Sequence, residues 1–292
     1  MKLQNHVRKM SLWCLAWLSV VAVSCVALSS SAAAADGPQL TLVVMDPLAA
    51  PLACACVEGY AQRRYGRLGE YLEDELNCPV RVVFGESLQS VVNEQTGGQA
   101  DLIIGKDSVV RHDARQLKRT LRPLAALTGT DGSTAQHGLF VVPCGDPAKT
   151  LSDLKGYRIL FGPLESEEKH AAAVAALTKA GVPAPAVDKR EIREACSEGA
   201  CDVLEAGVGA AVISNYAKPL LEGCGTIERG ALKVVGRTAD VPFVTAFASD
   251  SLDDTTAQRI RDALLAVGKN EKLCAALETR RGFVAAPDEK KK

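Results

Sequence analysis

Three short apolar runs alternate with two amphipathic stretches between Gln39 and Gly105, and this alternation constrains the chain more than any other feature. Gln39 to Val44, Val80 to Phe84 and Asp101 to Ile104 read as buried strands. Between the first two, Tyr65, Leu68, Leu72 and Leu76 recur at spacings of three and four. Arg67, Glu70, Glu73 and Asp74 take the opposite side, as a surface helix requires. Ser87 is placed to cap a second helix carrying Leu88, Val91 and Val92, and Gly97-Gly98 stops it. Strands joined by helical crossovers run parallel, so the βαβαβ order predicts an α/β sheet covered on both faces.

A second unit of the same grammar follows a polar turn at Thr128 to Ala135. Gly138 to Val142 and Arg158 to Phe161 read as strands, and a helix carries Ala172, Val174 and Leu177 up to Gly181. Ile192, Val203-Leu204 and Ala210 to Ile213 supply a further strand, helix and strand. Leu232 to Phe247 reads extended again, Asp254 is expected to cap a helix whose Ile260, Leu264 and Val267 share one face, and Asp288 to Lys292 reads as a frayed tail.

Of the 292 residues, 34 are Lys or Arg and 35 are Asp or Glu. Apart from Lys290 to Lys292 there is no basic stripe, which argues against a nucleic-acid partner. The N-terminal segment is set aside from fold reasoning. Lys2, Arg8 and Lys9 precede an uncharged apolar run from Met10 to Leu28, and Ala33-Ala34-Ala35 offers a small-residue cleavage site. Residues 1–35 are therefore expected to be a secretory signal peptide, with lipid attachment at Cys25 in Val23-Ser24-Cys25 as the alternative. Export to an oxidising compartment would let Cys54, Cys56, Cys78, Cys144, Cys196, Cys201, Cys224 and Cys274 pair, although sequence alone does not choose the partners.

Four segments in order carry a resemblance. They are YGRLGEYLEDELNCPVRVVFGESLQSVVNEQTGGQADLIIG from Tyr65 to Gly105, LSDLKGYRILFG from Leu151 to Gly162, CDVLEAGVGAAVISNYA from Cys201 to Ala217, and VPFVTAFASDSLDDTTAQRIRDALLAV from Val241 to Val267. Together they resemble the phosphonate/phosphite-type periplasmic solute-binding proteins. The resemblance implies an α/β fold of the type II periplasmic-binding kind, with two lobes of mixed, mostly parallel sheets joined by two crossover strands. Residues 36–128 with 240–287 would form the first lobe and 129–239 the second.

In open α/β sheets a ligand sits beyond the carboxyl ends of the strands. The loops placed there are 46–60, 85–87, 105–108, 162–170, 194–199 and 214–216, and the ligand contacts expected from them are Tyr60, Ser87, Ser108, Ser166, Asn215 and Tyr216. Ser87 and Ser166 are equally suited to plain helix capping. The family places a Ser/Thr-rich turn where this chain reads GPLESEEKH. Glu165, Glu167 and Glu168 would repel a bound dianion by a few kcal/mol in a partly dry cleft, at an effective dielectric of about 20. The plainer expectation is that Glu167 and Glu168 favour a helix N-terminus and point to water.

The implied arrangement also sorts the cysteines. Cys144 and Cys224 fall at the far end of the second lobe, Cys78 and Cys274 belong to the first, and Cys196 and Cys201 are neighbours, so these are the pairs expected. Cys54 and Cys56 are left for a disulfide elsewhere in the first lobe, for soft-metal or arsenite capture with Cys196, Glu165 or His170, or for a redox pair.

The implied function is non-enzymatic. An extracytoplasmic, periplasmic receptor, expected to be a monomer without a cofactor, captures a small polar ligand of the phosphonate, phosphite or phosphate class and presents it to an ABC permease. Sensing through a histidine kinase, with thiol-based oxyanion or soft-metal recognition, is the alternative partner reading, and thiol oxidoreduction is a third.

Overall fold

A computed structural model describes residues 39–53 and 62–286. The expected signal peptide, Cys25, Cys54, Cys56, Tyr60 and the expected frayed tail lie outside the described residues. In chain order the first half contains β1 (Leu40–Met45), α1 (Tyr65–Leu76), β2 (Val80–Phe84), α2 (Leu88–Ser90, continued by a π-helical turn Val91–Gln95), β3 (Leu102–Lys106), α3 (Asp107–Gln116) and β4 (Leu121–Leu127). There follow β5 (Ala135–Gln136), β6 (Gly138–Pro143), β7 (Ile159–Phe161), α4 (Ala171–Lys179), β8 (Glu191–Ile192), α5 (Cys196–Ala206), β9 (Ala210–Ser214), α6 (Ala217–Gly223) and β10 (Leu232–Arg237). The chain closes with β11 (Val241–Pro242), β12 (Val244–Ser249), α7 (Asp254–Ala266), α8 (Glu271–Ala276) and β13 (Phe283–Ala285).

Two mixed sheets result. The first has the order β13-β4-β12-β3-β1-β2 and the second β10-β6-β9-β7-β8. Parallel pairing is found where helices cross over, at β1 with β2 and β3 and at β7 with β8 and β9. Antiparallel strands complete each sheet. The chain leaves the first sheet through β5 and returns through β11, and these two segments pair as a short antiparallel ribbon. Among the described residues no helix is long and apolar enough to cross a membrane.

Period-2 alternation divides each strand between two cores. Leu42, Val44, Leu102 and Ile104 pack against α1 and α7, whereas Val43, Met45, Ile103 and Phe247 face α2 and α3. In the second sheet Phe140, Phe161 and Val212 pack on α4, and Val141, Leu160 and Ile213 on α5 and α6. Strand β4 escapes the sequence pattern because Pro123 sits inside it. The proline is tolerated at an irregularity, where the register against β12 shifts between Ala246 and Phe247.

Two caps differ from expectation. Ser87 makes no side-chain cap; the Leu88 amide donates instead to Asp113 Oδ2 at 2.8 Å. Helix α7 is capped by Asp253, not Asp254: the Thr256 amide donates to Asp253 Oδ1 at 2.9 Å and the Thr256 hydroxyl to Oδ2 at 2.6 Å. A cap of this kind contributes about 1 kcal/mol. Asp253→Ala should lower unfolding stability in urea by about that amount, and Asp254→Ala should lower it by less; the reverse ranking would contradict the assigned cap.

Candidate functional site

The strand ends that follow parallel pairing in both sheets open onto one crevice. It contains a cavity of about 460 Å³. Met45, Leu48, Glu86, Lys106 and Val109 wall it from the side of the first sheet, and Glu165, Ser166, Lys169, Glu194, Cys196 and Tyr216 from the side of the second. Most of the wall is apolar. Its formal charges are three carboxylates and two ammonium groups.

Below the cavity lies an ion pair between the two sheets. Lys106, the last residue of β3, sends Nζ to Glu168 Oε1 at 2.7 Å and to Ser166 Oγ at 3.2 Å. Ser214, the last residue of β9, donates its hydroxyl to the same Glu168 oxygen at 2.7 Å. All four residues are buried, with Glu168 at 0% exposure. The expectation that Glu168 points to water is therefore wrong. Burial pushes the Glu168 carboxyl up, but the Lys106 charge and the bonds from Lys106 and Ser214 outweigh it and hold the group below the ordinary carboxylate range. Burial lowers the Lys106 ammonium, which Glu168 opposes and Lys169 reinforces.

The loop carrying Glu168 is held by its own backbone. Gly162 N bonds Lys169 O, Lys169 N bonds Ser166 O and His170 N bonds Ser166 O. Two glycines allow its close approach. A Cβ on Gly138 would lie 2.3 Å from the Glu168 carbonyl oxygen, and one on Gly162 would lie 2.5 Å from the Lys169 side chain. A second buried network stands at the end of β1, where Asp46 accepts from Arg63 Nη1 at 2.8 Å, Tyr65 Oη at 2.6 Å and the Leu48 amide at 2.9 Å. The Arg63 guanidinium lies over the Phe243 ring, 5.5 Å from its centroid, and Tyr216 stacks on Phe243 at 5.2 Å.

Of the expected contacts, Ser166 and Tyr216 are on the cavity wall, as is Cys196. Ser108 joins the two halves instead: its hydroxyl donates to Glu165 O at 2.7 Å and accepts from the Glu167 amide at 3.3 Å. Asn215 turns towards β6, its Oδ1 accepting from the His137 amide at 3.2 Å. Ser87 stays at the start of α2, off the cavity wall. Sequence reasoning passed over Lys106. The available signal was a lysine directly after the apolar run Leu102 to Gly105, because a buried strand end offers its ammonium no water and so requires an anion.

The expected disulfides and the expected His170 metal ligand need correction, while the expectations for Cys54 and Cys56 fall outside the described residues. His170 is not available to a metal, since Nδ1 lies 2.8 Å from the Gly162 carbonyl and Nε2 2.8 Å from Arg190 Nη1. Among the described residues no group of three His, Cys, Asp or Glu side chains is placed to hold a metal ion. Cys196 is a free thiol whose Sγ accepts from the Ser214 amide at 3.4 Å. Cys196 and Cys201 occupy one helix five residues apart, a spacing that turns their side chains to different faces. Cys78 and Cys274 are at opposite ends of α1: the Ala276 carbonyl bonds Arg64 at its start, and Cys78 follows its last turn. The 12 residues of α1 rise about 18 Å, beyond the roughly 7 Å a disulfide bridges. The Cys144–Cys224 bond is not formed either. Cys144 is an exposed free thiol, and Cys224 Sγ meets Thr226 Oγ1 at 3.1 Å.

The sequence model of the family described as ABC transporter, phosphonate, periplasmic substrate-binding protein matches residues 59–290. Among solved structures, the chain is similar to the binding-protein component PA3383 of an ABC phosphonate transporter from Pseudomonas aeruginosa, with TM-score 0.65 and 14% identity over 87% of this chain and 83% of that one. PhnD1 from Prochlorococcus marinus in complex with methylphosphonate gives TM-score 0.64 and 13% identity over 86% and 93%. XAC2383 from Xanthomonas citri bound to ATP gives TM-score 0.64 and 17% identity over 86% and 92%. At these identities the likeness is one of fold. No curated protein matches the sequence.

The lowered Glu168 pKa fixes a pH dependence. The folded protein takes up this proton only at a lower pH than the unfolded chain does, so the contribution is full above the ordinary carboxylate value of about 4.3 and is lost as pH falls through the folded value. The stability difference between the native protein and Glu168→Gln, measured by urea unfolding, should be largest at neutral pH and shrink on acidification below about pH 4. A difference that stays constant down to acid pH would show that Glu168 is not the titrating group.

Proposed function

The chain belongs to the periplasmic substrate-binding family of phosphonate ABC transporters, and on that premise we propose that it captures a small polar solute between its two lobes and delivers it to a membrane permease. The observation that carries this reading is the cavity at the strand ends, because both sheets contribute to its wall. A solute touching both halves binds the closed form more tightly than the open one and shifts the population towards it. The apolar run from Met10 to Leu28, preceded by basic residues, supports export by a cleaved leader. The implied role is non-enzymatic and needs no cofactor.

The wall charges refine the solute. Glu86, Glu165 and Glu194 face the cavity, and of the two lysines Lys106 is already neutralised by Glu168. Lys169 reaches the Glu194 carbonyl at 3.2 Å and remains the one cation on the wall not paired to a carboxylate among the described residues. An unscreened dianion would be repelled by the three carboxylates, whereas a zwitterion sets its ammonium against them and its anionic end near Lys169.

A thermal-shift screen of aminoalkylphosphonates, methylphosphonate, phosphite, phosphate and sulfonates tests the reading. A ligand at a hundredfold excess over Kd adds about 2.7 kcal/mol, which for a chain of this size raises Tm by roughly 5–10 °C. The zwitterionic aminoalkylphosphonates should give the largest shifts, accompanied by a smaller radius of gyration in solution scattering. A screen in which no compound moves Tm would remove the support for solute capture.

A further inference from the structure

Glu168 is held where strand ends of both sheets meet. Two donors from separate strand ends converge on Glu168 Oε1, the Lys106 ammonium after β3 and the Ser214 hydroxyl after β9, while the Ser166 hydroxyl in the loop after β7 accepts a bond from the same ammonium. Lys106 and Ser166 also face the cavity, so a solute arriving there meets the same ammonium. The acceptor they hold comes from the protein itself. Glu168 Oε1 takes bonds from Lys106 and Ser214, while Oε2 is fully buried and has no hydrogen-bond partner among the described residues.

The carboxylate is fixed by a self-bonded loop pressed against Gly138. The contacts also cross between the sheets. Lys106 belongs to the first and Ser214 to the second, and the Ser108 bonds to Glu165 and Glu167 run alongside them.

We propose that Lys106, Ser166 and Ser214 form a pocket for one carboxylate-sized oxyanion, and that the chain fills it with its own Glu168 as a tethered ligand that draws the lobes together without solute. Tethering gives the carboxylate a high effective concentration, so a dissolved monoanion cannot compete for Lys106 while the loop is intact. Solute entering the cavity therefore meets Lys106 with its charge already compensated. The inference rests on the geometry of the pair and does not require the receptor reading to hold.

Chemical rescue tests it. In Glu168→Ala the pocket should open and Tm should fall below that of the native protein. Sodium formate or acetate should then restore most of the lost Tm with saturation at millimolar concentration, while sodium chloride of equal ionic strength should not. The native protein should respond to neither carboxylate, and the double variant K106M/E168A should lose the rescue. Solution scattering adds a readout that a merely space-filling role would not move: the radius of gyration of E168A should exceed the native value in chloride and contract in formate. If E168A is recovered unfolded, its refolding yield in formate against chloride is the measure, a gain supporting the pocket. An E168A response to formate no greater than to chloride, equal gains in native and variant protein, or an unchanged radius of gyration would overturn the proposal. None of these readouts uses the transported solute, so their failure is separate from a failure of the solute screen.

Discussion

An ammonium and a carboxylate, both withdrawn from water, meet where the carboxyl ends of the two sheets converge, and the closed crevice is organised around them. Removing either ion from water costs several kcal/mol. At 2.7 Å their attraction is roughly 6 kcal/mol if the effective dielectric is about 20, enough to offset that cost but not to leave a large surplus. The pair therefore acts more on arrangement than on net stability. Taking away one partner strands the other charge, a loss of about 3–5 kcal/mol, so any arrangement that separates Lys106 from Glu168 is disfavoured unless water or another ion replaces the contact.

Separation of the lobes would do this, because Lys106 and Glu168 belong to different sheets. Opening would also break the Ser108 bonds to Glu165 and Glu167, and the Tyr216 ring would leave Phe243. Burial raises the Tyr216 phenol well above its usual value, so that group stays neutral and adds no charge to the crevice. Phe243 is itself held by Arg63, which Asp46 fixes from below. Burial lowers the Arg63 pKa, and Asp46 together with Tyr65 and Glu278 more than restores it, so the guanidinium remains charged over the ring. The Asp46 network gives Tyr216 a rigid surface to close upon.

Much of this architecture was legible in the sequence, and the misses have physical causes. Strands β1, β3, β6, β7 and β9 were visible because each is largely buried on both faces and reads as an apolar run, and the edge strand β2 was visible from its valines and Phe84 despite the exposed Arg81. Helix α1 was visible because one side of it meets solvent. Helix α3 was hidden, since its buried Val110 and Ala114 are diluted by Asp107, Arg111, His112, Asp113 and Arg115. Ser166 and Tyr216 followed from their places after strands, whereas Asn215, one residue away, turns to His137. Glu168 was misjudged because a helix N-terminus accounts for an acidic residue locally. Its true partner is 62 residues away, a long-range pairing that no local pattern encodes.

The same long-range pairing changes how the charges of the crevice should be counted. The loop Gly162 to His170 contains three glutamates, and a count by sequence makes it hostile to any anion. In the fold the three have different fates. Glu168 is spent on Lys106, Glu167 contributes its backbone amide to Ser108, and Glu165 is the member that faces the cavity. Its company there is Glu86 from the first sheet and Glu194 from the second, with Lys169 on the same wall as Glu165 and Glu194. A partly desolvated space with an acidic excess and one uncompensated ammonium has its field set by residues from both lobes. Where water is scarce such a field acts strongly, and an acidic excess beside one uncompensated ammonium opposes a simple anion.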